Sequence, residues 1–151
     1  MAIGNLVRGY FKGNESAVSF IEDFFAAWHI WDDLIDKDKS ITDEAINQAF
    51  INVFIKLPRN TFYQIHFGIL NPLMENAFIN WFAANKLEQS KQNLETAYEL
   101  RNTYLNIVIT CANIIGGTDW AALVAIDVQK NLKNNDSFEE YALKFNEKDK
   151  E

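Results

Sequence analysis

Apolar residues recur along this chain every three or four positions and almost nowhere in strict alternation. That period puts them on one side of a helix, whereas strands would alternate every second residue. The pattern predicts a short helix over 3–11, stopped at Gly13. A longer one follows from Asn14 or Ser16, both good N-caps, to about Asp36. "DKDKS" then reads as a solvated connection. The next helix covers about 42–56, capped by Ser40 or Thr42, with Asp43 and Glu44 in the first turn where the helix dipole favours them. It is expected to end before Pro58.

A short helix is expected over 61–69. Asn71 and Pro72 then read as the N-cap and first residue of a helix to about 87. Ser90 caps the longest predicted helix, 91–115, which Gly116 and Gly117 terminate. Thr118 opens one to about 132. Ser137 and Glu140 have the spacing of a capping box for a last short helix. Two prolines and six glycines are too few for a turn-rich β fold. The expectation is one all-α bundle of about five to seven helices over 1–145, followed by a charged tail at 146–151.

Composition adjusts this picture in a few places. Twelve Phe, five Tyr and four Trp point to a core built of rings. The net charge of −7, with no basic stripe, argues against nucleic acid and against an anionic membrane surface as partners. No run of apolar residues is long enough to span a bilayer. The first residues lack the apolar run and cleavage site of a signal peptide, so a cytoplasmic location is expected. A single cysteine, Cys111, excludes an internal disulfide and a cysteine zinc site. In "NIVITCANII" it reads as a small buried hydrophobe.

Candidate chemistry concentrates in "AWHIWDDLIDKDKS". At about 100° per residue, Glu22, His29, Asp32, Asp33 and Asp36 share one arc of their helix. Phe24, Trp28, Trp31, Leu34 and Ile35 occupy the opposite arc and are expected in the core. The acids read either as a wet face or as ligands. Like charges one turn apart, such as Asp32 and Asp36, cost a helix a few tenths of a kcal/mol. No Lys or Arg lies on that arc, and a hard divalent cation would relieve the repulsion. His29 with Asp33 is a second pair one turn apart, suited to a transition metal or a hydrogen bond.

"DDLID", Asp32 to Asp36, resembles the aspartate-rich DDxxD motif of class I isoprenyl diphosphate synthases and terpene synthases. That resemblance implies an all-α fold and magnesium ions that hold a substrate diphosphate. The metal-binding roles would fall to Asp32 and Asp36, with Asp33 in support. The paired basic residues after the motif and a second aspartate-rich motif are missing here.

A second wall for such a site is offered by Glu95, Glu99, Asn102, Asn106 and Asn113, which line one side of the predicted 91–115 helix. Its upper half is very apolar, so Asn106 and Asn113 are expected to be buried. Glu99 is the expected fourth metal ligand, and Asn102, Asn106 and His29 are candidate substrate contacts. "ELRN", Glu99 to Asn102, is loosely similar to the ExxD element of all-α nucleotide pyrophosphatases, with Asn in place of Asp. "DKDKSITDEAIN" starts like a calcium loop but has Ile41 where Gly is needed and Asn47 where Glu is needed. His66, flanked by rings, reads as a core or interface histidine. "FINWFAANKL", Phe78 to Leu87, is apolar around most of its circumference, which suggests a homo-oligomer. Two functions are compatible with these residues. One is a Mg2+-dependent protein acting on a small phosphorylated ligand, a diphosphate or nucleotide. The other is a non-catalytic helical interaction or assembly protein.

Overall fold

The computed structural model describes residues 2–133 and 137–147. The all-α expectation holds: eight helices of eight residues or more form, joined by shorter helical turns, and no strand is present among the described residues. That is slightly more than the five to seven expected. Most of the expected charged tail, 148–151, lies outside the described residues. The packing divides into two compact units, Met1–Phe67 and Gly68–Glu151.

In the first unit, α1 (Ala2–Tyr10) leads through a tight turn into α2 (Glu15–Asp36). Gly13 takes a φ of +78° there, a conformation that glycine adopts without steric cost. The Asn14 side chain caps α2 by accepting from the Ala17 N–H at 3.0 Å. α2 is the centre of this unit and packs against every other element in it. Its buried residues run from Ala17 to Trp28 and include Phe25, on the arc that also carries the acids. The rings of Phe20, Phe24 and Trp28 form a ladder along it, and Tyr63 stacks on Phe20 at 5.2 Å.

After Asp36 the chain reverses. α3 (Asp43–Ile51) is capped by Thr42, continues as a π-helical turn over Asn52–Lys56, and ends in the single turn α4 (Leu57–Arg59). This run passes through Pro58 instead of stopping before it. Proline has no N–H to give to the carbonyl four residues back. The π turn accommodates that, because the Leu57 N–H bonds five residues back to the Asn52 carbonyl. α5 (Thr61–Ile65) is fastened to the start of α2 by polar contacts: Asn60 Nδ2 donates to the Ser16 carbonyl, and the Phe62 N–H donates to Ser16 Oγ.

The second unit holds nearly all of α6 (Phe67–Ser90), then α7 (Leu94–Arg101), α8 (Asn106–Gly116), α9 (Thr118–Asn131) and α10 (Phe138–Glu147). Three boundaries differ from expectation. α6 runs through Pro72, which costs one bond to the carbonyl of Gly68, an exposed residue that water can reach. Ser90 closes α6 instead of capping the next helix, and its hydroxyl donates to the Leu87 carbonyl.

The predicted 91–115 helix is broken at Asn102. There Asn102 Nδ2 takes the Tyr98 carbonyl and Thr103 Oγ1 takes the Leu100 carbonyl. Both carbonyls would otherwise serve the α-helical ladder, so the side chains compete with it and a 3₁₀ turn, Thr103–Leu105, results. α8 packs on α9 and α7 on α10. Tyr98 and Tyr141 pack with Ala84 and Ala97 in one buried cluster. The expected capping box forms: Ser137 N–H donates to Glu140, and Glu140 N–H donates to Ser137 Oγ.

Candidate functional site

The acidic turn of α2 lies where that helix leaves the core. Asp32 and Asp33 are half-buried and Asp36 is exposed. Leu34 and Ile35, expected in the core, are exposed as well, because the buried stretch of α2 ends at Trp28. Lys39 approaches Asp33 at 3.7 Å, so part of the charge is met by a cation of the chain itself. The His29 ring stands edge-on to Phe25 at 6.4 Å. Part of His29 faces solvent, yet the protein packed around the ring lowers its pKa below the ordinary histidine value, against the opposing pull of Asp32 and Asp33.

The other expected site residues belong to the second unit. Glu99 is exposed and bonds to Lys133 Nζ at 2.8 Å. Asn102 is buried, with its amide nitrogen engaged by the Tyr98 carbonyl and its Oδ1 without a partner. Asn106 and Asn113, expected to be buried, are exposed. The helix break explains this: Glu95 and Glu99 sit on α7, Asn106 and Asn113 on α8, and the stripe drawn on one continuous helix does not exist. Among the described residues, no group of three or more His, Cys, Asp or Glu side chains could hold a metal ion. Among the same residues no helix is long and apolar enough to cross a membrane.

A different surface stands out. α3 buries none of its residues. From Phe50 to Ile55, Asn52 is buried and the five apolar residues around it are exposed. Phe54 is 65% exposed and Phe50 57%, against 3% for Asn52. The two rings lie side by side with centroids 5.8 Å apart. Polar contacts hold the segment this way round. Asn52 Nδ2 donates to the Asp23 carbonyl at 3.3 Å, Asn52 Oδ1 accepts from Gln48 Nε2 at 2.9 Å, and Lys56 Nζ lies 3.8 Å from Asp23.

The helix is thus pinned to α2 by an amide and turns its rings outward. Burying a large apolar side chain is worth about 1.5–3 kcal/mol, so the strip leaves on the order of 5 kcal/mol of transfer free energy unused. The aromatic helix singled out in the sequence behaves otherwise. In α6, Trp81 and Ala84 are buried, while Ile79 and Phe82 are exposed.

The second unit also holds a polar cluster that sequence reasoning missed. Arg101 donates to Glu88 with two nitrogens and to Asn85 Oδ1, and lies over the Trp81 ring at 5.1 Å. Tyr141 donates its hydroxyl to Glu88. Burial, with the Glu88 carboxylate beside it, raises the Tyr141 pKa. Every polar group in this cluster faces a partner within it, and its effect is to tie α10 to α6 and α7.

No protein-family model, curated protein or solved structure matches the chain.

Proposed function

We propose that this chain is a non-catalytic helical interaction or assembly protein, and that the helix from Asp43 to Arg59 is its contact surface. The observation that carries this reading is the inverted segment 50–55, with its asparagine inside and five large apolar side chains outside. Single exposed apolar residues are ordinary on protein surfaces, but a run of this kind marks a binding face. The acids of α2 then serve as a charged, wetted surface. The geometry favours this over the magnesium and diphosphate reading, because Asp33 and Glu99 already face lysines of the same chain.

The test substitutes Phe50→Ser together with Phe54→Ser. On this reading the thermal midpoint, measured at a concentration dilute enough that wild type is monomeric, stays near that of wild type, since neither ring packs in the core. Phe25→Ala, a fully buried ring, should by contrast cost about 3–5 kcal/mol. Association in solution should depend on the same two exposed rings. A loss of stability comparable to that of the core ring would overturn the reading. So would Mg2+-dependent release of phosphate or diphosphate from nucleotides or prenyl diphosphates by wild type, abolished by Asp32→Ala with Asp36→Ala.

A further inference from the structure

We infer that the occupant of this surface is a second copy of the same chain, with the 43–59 helices of the two copies packed antiparallel about a two-fold axis near Ile51. The inference rests on the binding-face reading above and adds the partner. Its first support is the order of charges along the helix. Asp43 and Glu44 stand at the N-terminal end, Arg59 at the C-terminal end, and the exposed apolar run lies between, while Lys56 turns toward Asp23 of α2. An antiparallel pair sets each acidic end against the basic end of its mate, twice over, and brings Phe50, Ile51, Phe54 and Ile55 together at the centre. A two-fold interface must be self-complementary in this way.

On α3, Asp43 and Phe50 lie seven residues apart on one side of the helix, and Glu44 and Ile51 do the same on the next row. Acids and apolar groups therefore face the same mate.

The second support is the charge of the rest of the chain. At a net charge of −7, two copies repel each other over most approaches. Between Ala45 and Met74 there is no Asp or Glu, and Lys56 and Arg59 are the only Lys or Arg residues. This stretch is where two copies meet with least repulsion. An anionic lipid surface gains from those two cations but is opposed by the remaining charge, which the same sequence makes strongly negative.

Area is the third support. Counting about 200 Å² for a whole aromatic side chain, the exposed fractions leave the five apolar groups offering on the order of 450 Å². A helix about 25 Å long adds its charged ends to that. The apolar part is a little over half of the ~800 Å² per partner of a standard interface, the size of a weak pair that forms only as concentration rises.

The test uses the full chain in sedimentation velocity from low to high micromolar concentration. Wild type should pass from one to two chain masses. Phe54→Glu should weaken association at least about tenfold, as loss of a central anchor does. Ile51→Cys, beside the axis, should give disulfide-linked dimers under mild oxidation. Asp43→Cys, which meets the opposite end of its mate, should stay unlinked. Linking at 43 and not at 51 would overturn the antiparallel pair. Circular dichroism confirms that each variant is folded.

A wild type that stays monomeric throughout would overturn self-pairing, as would a monomer that binds lipid vesicles through Phe50 and Phe54. In both cases the binding-face reading survives if Phe50→Ser with Phe54→Ser leaves the thermal midpoint unchanged. It fails separately if those substitutions unfold the chain.

Discussion

At the scale of the residue, environment decides what each side chain does, and three residues give sharp expectations. Cys111 is fully buried, and that burial pushes its thiol pKa far above the ordinary value. It should resist alkylation in the native protein and react only after unfolding, which a denaturant series with iodoacetamide would show.

His29 has a folded pKa below its ordinary value, so the unfolded chain binds the proton more readily. Stability should therefore fall as pH drops below about 6.5, the unfolded value, and through the lower folded pKa. His29→Gln should flatten that part of a stability-against-pH curve. Arg101 and Glu88 are each little exposed and grip one another with two hydrogen bonds. Removing one partner leaves the other charge without its counter-ion, so Arg101→Ala should cost about 2–4 kcal/mol in chemical denaturation. Arg8 with Glu15 is an ion pair too, but it is exposed, and Arg8→Ala should leave the denaturation curve unmoved.

At the scale of the element, two buried asparagines show how a polar side chain shapes a helix. Asn52 uses both ends of its amide: its nitrogen holds the π turn on α2 through the Asp23 carbonyl, and its oxygen accepts from Gln48 one turn back on α3. Asn102 uses one end to break a helix and leaves its Oδ1 buried without a partner. Replacement by leucine, close in volume, should act in opposite directions. Asn52→Leu should destabilise by about 1–3 kcal/mol through lost hydrogen bonds, whereas Asn102→Leu removes an unpaired buried oxygen and should be neutral or stabilising by up to about 1 kcal/mol. Urea denaturation of the two variants beside wild type checks the sign of each. An increase in helical circular dichroism for Asn102→Leu would further mark the rejoining of α7 and α8.

At the scale of the whole molecule, the charge distribution separates the two functional readings. If the carboxylates of α2 are only a wet face, Mg2+ at millimolar concentration should leave the thermal midpoint where it is. Asp32→Ala with Asp36→Ala should then match or slightly exceed wild type, since a like-charge pair one turn apart is removed. Thermal melting with and without the metal measures both. A metal-dependent rise that the double variant loses would instead establish a bound cation.

Much of the fold was legible in the sequence because its signals are local. The three-to-four residue period, the caps at Asn14, Thr42 and Ser137, and the φ-permissive Gly13 act within a few residues of themselves, and each does in the structure what its chemistry dictates. The helix breaks were less legible. In isolation Pro58 looks like a stop and Pro72 like a start, but a π turn and an exposed carbonyl let the helices continue through them. Asn102 looks like a polar member of a long amphipathic helix until its side chain captures a carbonyl.

The acidic arc was visible as a pattern, whereas Lys133 lies beside Glu99 only after folding, 34 residues along the chain. The binding strip was hidden for a similar reason. "NQAFINVFIKL" presents one amide among large apolar groups, and hydrophobicity alone buries the apolar ones. Periodicity, caps and composition thus determined that this chain is helical and rich in core rings. Which face of each helix meets the core depended on contacts between residues far apart in sequence. The hold of Asp23 on Asn52 is one such contact, and only the tertiary structure brings that pair together.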